Sequence, residues 1–352
     1  MSETSVVLIG CGATGSHAAG HVARMQGVAR VTLVDPGSFE ASNLAGQCIE
    51  GADVNRPKVN ALADKLLRIR PDLEVMAIQD RVENVPRGLL KGSLIANCTD
   101  SRVSRQHVGE LAWRLGVILV DCGVNGGFEL VRVNTYRPSN ESPCIECSWG
   151  EAEYAALETE YTCGADREIS RPTMASSALA GLAASLLAAE IGKILSGDLA
   201  GSLASRQLIF DARNHQLHVT KGRRNPECRF DHQTWDAAEP WNCRPESTTV
   251  GDALNALGSL RVDGHCWSKG DLVCPGCGRR LEGLRLNRPP ARCAECDRRM
   301  VSETFGTFAF LDREIARGSA DLTLAQVGLR VGDIITTVDE VHGVRPRILE
   351  AA

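Results

Sequence analysis

The stretch VVLIGCGATGSHAAG, from Val6 to Gly20, decides the fold of this chain. An apolar run ends in Gly10, Gly12 and Gly15, and an alanine-rich segment follows. This order predicts a strand, a tight turn and the start of a helix, as in nucleotide-binding folds. Gly10 would turn the chain, Gly12 would let the backbone approach a phosphate, and Gly15 would let the helix pack on the strand. The helix N-terminus would offer free N–H groups to that phosphate.

A second predicted strand, in RVTLVDPGSF, ends at Asp35. In dinucleotide-binding folds a carboxylate at this place accepts hydrogen bonds from ribose hydroxyls. These two features alone are typical of an NAD-dependent oxidoreductase.

Length and composition set the frame for the rest of the chain. The 352 residues predict two domains. With 39 basic and 44 acidic residues and a net charge of -5, we expect neither nucleic acid nor an anionic membrane as partner. The start shows no signal or transit peptide, so we expect a cytoplasmic protein, in which 14 cysteines indicate metal binding and catalysis rather than disulfides.

One apolar segment, TMASSALAGLAASLLAAEIGKIL, is nearly long enough to cross a membrane. Glu190 and Lys193 interrupt it, and Ala, Ser and Gly dominate its composition. We therefore expect a buried helix rather than a membrane span.

Periodicity predicts an α/β fold with a Rossmann-like, mostly parallel sheet and helices on both faces. Helical patterns such as PKVNALADKLLRI and RQHVGELAWRLG alternate with apolar strands. The strands are expected at residues 5–9, 30–34, 73–78, 93–96, 117–121, 129–134 and 207–210. A polar segment near Glu239 marks a boundary, so we expect a larger domain over residues 1–238 and a smaller domain over residues 239–352.

The residues after Asp35 favour ATP over NAD. Asn43 and Gln47 lie in the following loop, Lys58 begins a helix, and Asp100 with Arg105 follows an apolar strand. Ligands bind at the carboxyl ends of such strands, so these groups should converge on the glycine turn. An amine, an amide and a carboxylate able to hold a divalent ion suit a triphosphate with Mg²⁺, whereas a nicotinamide site needs none of them.

This arrangement resembles the ubiquitin-activating enzyme superfamily and its bacterial ThiF-type adenylyltransferases, over about residues 6–232. The resemblance implies that Asp35 binds ribose, that Asn43 and Lys58 contact ATP phosphates, and that Asp100 holds Mg²⁺. It also implies adenylation of the C-terminal carboxylate of a ubiquitin-like protein, with release of pyrophosphate. We expect a homodimer.

Two features depart from the family pattern. Gly46 stands where the family usually has an arginine, and the N-terminal helix with a second arginine is not seen before the first strand. Either other cations or a partner subunit replace these arginines, or catalysis is impaired. We favour replacement, and the candidates within the chain are Arg56, Arg102 and Arg105.

Cysteine spacing predicts two zinc sites. The pair Cys144 and Cys147 would join Cys228 and His232 in a closed structural site, as the zinc of the resembling family joins two distant segments. His232 is preferred to Asp231 because imidazole suits zinc beside thiolates; free buried cysteines are the alternative. The second site has zinc-ribbon spacing and consists of Cys274, Cys277, Cys293 and Cys296.

Cys163 is the candidate acceptor thiol. It lies in EYTCGADREISRPTMASS, and the family can carry a cysteine here that takes the acyl group from AMP as a thioester. Arg167 and Arg171 could lower the pKa of this thiol. The alternative is an ordinary loop cysteine.

The tail segments STTVGDALNALG and DLTLAQVGLRVGDIITTVDE resemble parts of a ubiquitin-like β-grasp domain, which could recruit a conjugating enzyme. We therefore expect an enzyme that activates a bacterial-type ubiquitin-like protein and passes it to a conjugating enzyme. The alternatives are adenylation of a sulfur-carrier protein or peptide, and a catalytically weak scaffold subunit. An oxidoreductase comes last, because it has no use for Lys58 and Asp100.

Overall fold

A computed structural model describes residues 4–92, 94–160, 175–235, 239–288, 293–302, 306–339 and 343–350. The chain divides into two compact units. The first comprises Met1–Val85 and Leu90–Thr234, and the second comprises Pro86–Leu89 and Trp235–Ala352.

The first unit is built on an eight-stranded sheet, in the order β3-β2-β1-β4-β5-β6-β7-β8. Strands β1 to β5 pair in parallel, whereas β6, β7 and β8 join the sheet antiparallel. The strands are β1 (Thr4–Ile9), β2 (Val28–Val34), β3 (Glu74–Ile78), β4 (Leu94–Asn97), β5 (Ile118–Asn125), β6 (Leu130–Tyr136), β7 (Arg206–Asp211) and β8 (Gln216–Lys221). The predicted α/β fold with a mostly parallel sheet is confirmed, and β8 is the strand of this sheet that the sequence did not predict.

The central strands are buried on both faces of the sheet, which explains why their sequences are continuous apolar runs. Val6, Val7, Leu8 and Ile9 are all at most 2% exposed, because helices cover both sides of a parallel sheet. The helices are α1 (Ala13–Ala23), α2 (Lys58–Ile69), α3 (Arg102–Arg114), α4 (Glu151–Glu160) and α5 (Ser177–Leu195). Residues of α1, α2 and α5 share one hydrophobic core with the sheet.

Helix α5 is, within the described part of the chain, the one helix long and apolar enough to cross a membrane. One face of α5 lies in the hydrophobic core of the first unit. Glu190 on that face is buried and accepts hydrogen bonds from the Thr135 hydroxyl, at 2.8 Å, and from the Leu203 amide. A buried carboxylate that is hydrogen-bonded to groups of the protein is typical of a core helix rather than of a membrane span, as predicted.

The second unit contains a four-stranded sheet in the order β10-β17-β18-β9. Its elements are β9 (Glu239–Asn242), α6 (Val250–Leu257), β10 (Arg261–Val262), β17 (Ile334–Asp339) and β18 (Gly343–Glu350). Two three-stranded sheets lie between β10 and β17 in the chain and consist of β11 (Cys266–Lys269), β12 (Leu272–Val273), β13 (Arg280–Leu281), β14 (Leu284–Asn287), β15 (Val301–Ser302) and β16 (Thr307–Phe308). The β-grasp resemblance and the roles of the two domains stay predictions.

A helix cap, a buried indole hydrogen bond and an ion pair stabilise the second unit. Thr249 caps α6, because its hydroxyl accepts the Asp252 amide at 3.0 Å while the Asp252 carboxylate accepts the Thr249 amide at 3.2 Å. Trp267 is fully buried, and its indole N–H donates to the Leu260 carbonyl at 2.9 Å. Within the same unit, Arg87 forms an ion pair with Asp263.

Candidate active site and metal centres

The glycine turn has the geometry that the sequence predicted for a phosphate-binding loop. Gly10 has a φ of +89°, and a Cβ atom there would lie 2.8 Å from the backbone of Cys98. A Cβ atom at Gly15 would lie 1.8 Å from the Gly10 carbonyl oxygen. Helix α1 can therefore pack this close to the turn after β1 only with glycine at this position. Among the described residues, no atom would lie within 4 Å of a Cβ atom at Gly12, and no side chain caps the start of α1. As far as these residues are concerned, the helix start is open to a ligand.

Asp35 lies at the carboxyl end of β2 and is bonded to the glycine turn. Its Oδ2 accepts the Cys11 amide and its Oδ1 accepts the Gly37 amide, both at 2.8 Å. These two bonds fix the carboxylate beside the loop. Its place matches that of the carboxylate that binds ribose in folds of this type.

Lys58 begins α2 on the same side of the sheet. Its amide donates to the Gly37 carbonyl at 3.0 Å, and its Nζ lies 5.7 Å from the centre of the Phe39 ring. Burial raises the pKa of the Cys11 thiol, Asp35 raises it further, and Lys58 opposes both effects. A Cβ atom at Gly37 would lie 3.2 Å from the Asp35 Oδ1 and 3.5 Å from the Lys58 Cε, so the Lys58 side chain lies beside the Asp35 carboxylate.

Asn43 and Gln47 lie in the loop that follows β2. The Asn43 Oδ1 accepts the Glu40 amide at 3.0 Å, which closes the short helix Ala41–Ala45. The Gln47 Oε1 is buried and has no hydrogen-bond partner among the described residues. This amide oxygen could therefore accept a hydrogen bond from a bound molecule.

Asp100 is exposed in the loop between β4 and α3. Arg105, one turn into α3, is directed elsewhere: it forms an ion pair with Asp121 at 2.5 Å and donates to the Cys122 carbonyl at 2.9 Å. Asp121 is fully buried, and it also accepts the Asn97 amide at 2.8 Å. The structure therefore gives Arg105 a structural partner, and its predicted role at the phosphates stays a prediction.

Asp121 was not among the residues predicted from the sequence, although the sequence carried a signal for it. An acid in the otherwise apolar run VILVDCG is unusual for a buried strand. Arg56 was also proposed to replace a family arginine at the phosphates. Its guanidinium forms ion pairs with Asp53 and Asp64.

Gly46 lies close to the backbone that precedes α5. A Cβ atom at Gly46 would lie 3.0 Å from the Ala175 carbonyl oxygen. Nearby, the His17 Nε2 lies 3.3 Å from the Ser177 hydroxyl at the start of α5. Cys163, Arg167 and Arg171 lie outside the described residues.

The structure brings together the first predicted set of zinc ligands. The Cys144 Sγ lies 3.7 Å from both the Cys147 Sγ and the Cys228 Sγ, and the Cys147 Sγ lies 3.3 Å from the His232 Nε2. Zn–S bonds of about 2.3 Å in a tetrahedron require S–S distances of about 3.8 Å, so the donors fit zinc. The hydrogen bond with Cys144 lowers the pKa of the Cys147 thiol, which favours the thiolate form that binds zinc.

Asp231, the rejected alternative to His232, has a different partner. Its two carboxylate oxygens accept from the Arg114 guanidinium at 2.6 and 2.9 Å. The Trp113 indole N–H donates to the His232 carbonyl at 2.9 Å, and the Trp113 and Phe230 rings pack against the cysteines. These contacts direct the imidazole rather than the carboxylate toward the thiols.

The second set of four cysteines forms a compact group in the second unit. Sulfur atoms approach within 3.3 Å for Cys274 and Cys296 and within 3.4 Å for Cys277 and Cys293. Each Cys-x-x-Cys turn is closed by backbone bonds that point back to its first cysteine, such as Gly278 N to Cys274 O at 2.9 Å. Four thiols at this spacing could hold zinc in a closed site.

Comparison with known proteins agrees with the geometry of the first unit. The molybdopterin-synthase adenylyltransferase of Salmonella typhimurium is 30% identical over 232 residues, which cover 65% of this chain and 87% of that protein. The Escherichia coli sulfur carrier protein ThiS adenylyltransferase is 27% identical over 229 residues, covering 64% and 85%. The bovine adenylyltransferase and sulfurtransferase MOCS3 is 29% identical over 318 residues, covering 89% and 61%.

Solved structures show the same fold. The E. coli MccB structure with ATP superimposes with a TM-score of 0.53 at 18% identity and covers 64% of this chain and 66% of that chain. The sequence model of the ThiF family matches residues 1–230. This chain therefore belongs to the ThiF family and is an ATP-dependent adenylyltransferase.

Proposed function

We propose that this adenylyltransferase activates the C-terminal carboxylate of a sulfur-carrier protein. Relatives named for sulfur-carrier and molybdopterin-synthase adenylation support this substrate class. They favour it over the other reading of the sequence, in which a ubiquitin-like protein passes to a conjugating enzyme. That reading, the homodimer and the cytoplasmic location stay predictions.

One observation carries the proposal: the Asp35 carboxylate accepts the Cys11 amide of the glycine turn, and a Cβ atom at Gly37 would lie within 3.5 Å of both Asp35 Oδ1 and Lys58 Cε. A ribose-binding carboxylate, a phosphate-binding amine and an open helix start together fit ATP.

The residues then divide the work of adenylation. A free carboxylate has no good leaving group, so joining it to AMP makes acyl transfer easy. The glycine turn and the start of α1 would orient the phosphates, and Lys58 would stabilise charge as pyrophosphate leaves. Asp100 would hold Mg²⁺, which neutralises phosphate charge when bound.

The two predicted zinc sites would hold structure rather than react, because four protein ligands leave no open position on a tetrahedral ion. Cys144, Cys147, Cys228 and His232 would tie two distant segments of the first unit together. The other four cysteines would form the centre of the small ribbon in the second unit.

Exchange of labelled pyrophosphate into ATP tests the proposal, with a sulfur-carrier protein from the same genome as substrate. Exchange should require the carrier, disappear in Asp100→Ala and fall about 100-fold in Lys58→Ala, because each change removes charge stabilisation at the phosphates. The matched controls Asp72→Ala and Lys91→Ala change exposed residues and should exchange at the wild-type rate. Wild-type exchange in Asp100→Ala would contradict the proposal.

Cys163→Ala separates the two possible fates of the adenylate. Adenylation needs only the phosphate site, so exchange should persist in this variant. If Cys163 accepts the acyl group, a reductant-sensitive conjugate between enzyme and carrier should form in the wild type and be lost in the variant. A conjugate that persists in Cys163→Ala would exclude this cysteine as the acceptor.

A further inference from the structure

A cysteine and a lysine meet closely in the first unit, outside the predicted ATP contacts. The Lys65 Nζ lies 3.0 Å from the Cys48 Sγ and 2.8 Å from the Cys48 carbonyl oxygen. Sulfur is larger than oxygen, so a distance within the usual N–H···O range is a close approach for nitrogen and sulfur. The bond to the carbonyl holds the amine against the thiol.

Both residues are fixed by their surroundings. The Cys48 amide donates to the Ser16 hydroxyl at 2.9 Å, and Ser16 is buried in α1. Lys65 extends from α2, on the same face as Lys58, which lies two turns earlier. The reacting atoms are therefore held together without a conformational search, an arrangement that accelerates reactions between neighbouring groups.

Cys48 is partly exposed, as is Cys98 beside the glycine turn, whereas Cys11 and Cys122 are buried. A small oxidant can therefore reach the Cys48 sulfur, and susceptibility to oxidation follows exposure.

We propose that dissolved dioxygen converts this pair into a covalent crosslink in which one oxygen atom joins the Cys48 Sγ to the Lys65 Nζ. A separation of 3.0 Å is too long for a direct S–N bond, and it leaves room for one bridging atom. New S–O and O–N bonds form, while the S–H bond and two N–H bonds of the protonated amine break. Sulfur and nitrogen each give two electrons, the second oxygen atom leaves as water, and one proton is released.

The crosslink changes charge beside the nucleotide loop. A nitrogen bonded to oxygen is far less basic than an amine, so the positive charge of Lys65 is lost. That charge reaches the first turns of α1, since burial and then Lys65 lower the pKa of His17. Formation of the bridge does not depend on the proposed function.

Peptide mass spectrometry of the full chain tests the proposal. Protein purified without oxygen is divided, and one half is exposed to air before digestion. Only the aerated half should yield a linked peptide pair joining Cys48 to Lys65, with a mass equal to their sum plus one oxygen and minus two hydrogens. Excess dithiothreitol should reverse the link, with two dithiols consumed for each bridge.

Variants locate the link. Cys48→Ser and Lys65→Gln should abolish the linked pair, whereas Cys266→Ser and Lys91→Gln, which change exposed residues, should retain it. The wild-type comparison stands alone if a variant fails to fold. A reduced or sulfinic Cys48 beside unmodified Lys65 after aeration, or a disulfide at Cys48, would overturn the proposal.

Discussion

Replacing Arg105 with methionine should destabilise the first unit far more than it weakens nucleotide binding. The guanidinium is the nearest charged partner of Asp121, at 2.5 Å, and Asp121 has no exposed surface. Removing one member of a buried ion pair costs about 3–5 kcal/mol, because the remaining charge is unpaired and desolvated. The amides of Asn97 and Asn134 still donate to Asp121, at 2.8 and 3.4 Å, so we expect about 3 kcal/mol, the lower end of that range.

A matched variant supplies the control. Arg132 also lies near Asp121, but at 3.9 Å and with 47% of its side chain exposed, so Arg132→Met should cost less than about 1 kcal/mol. The double variant Arg105→Met with Asp121→Asn removes the buried charge and should recover part of the loss.

The assay is hydrogen exchange of the β5 amides at increasing urea concentrations, which reports on the first unit separately from the second. ATP binding is measured on the same proteins. A cost below about 1 kcal/mol for Arg105→Met, together with a large loss of ATP affinity, would refute the structural role and support the phosphate role.

Further predictions concern the zinc ligands and the glycine turn. His232→Ala should lower the zinc content by about one ion per chain, whereas Asp231→Ala should leave it unchanged; equal zinc loss in both would contradict the ligand assignment. Gly15→Ala places a Cβ atom 1.8 Å from a carbonyl oxygen and should cost roughly 3 kcal/mol, whereas Gly12→Ala meets no atom and should mainly weaken ATP binding; similar unfolding midpoints would count against the packing argument.

The parts of the site that lie in short sequence motifs could be predicted from the sequence. The turn at Gly10 and the carboxylate at Asp35 follow adjacent apolar strands, and a parallel sheet brings the ends of such strands together. The preference of zinc for thiolates also predicted a long-range contact. Cys144 and Cys228 are 84 residues apart in the sequence, and their Sγ atoms lie 3.7 Å apart.

Strand β8 and the ion pair between Arg105 and Asp121 were not predicted from the sequence. Strand β8 has only two alternating apolar residues, Leu217 and Val219, and both are exposed, so the alternation that indicates a half-buried strand is short. The pairing of Arg105 with Asp121 depends on how α3 packs on β5, which the spacing of residues along the chain does not encode.

The central claim is transfer of AMP to a carboxylate, and the fate of the label on ATP tests it directly. The enzyme is incubated with Mg²⁺, a sulfur-carrier protein and ATP labelled at either the α- or the γ-phosphate, and the carrier is then isolated in acid. Label from the α-phosphate should appear on the carrier, label from the γ-phosphate should not, and a carrier with a C-terminal amide should receive neither. Transfer of the γ-label, or α-labelling of the amidated carrier, would contradict this account.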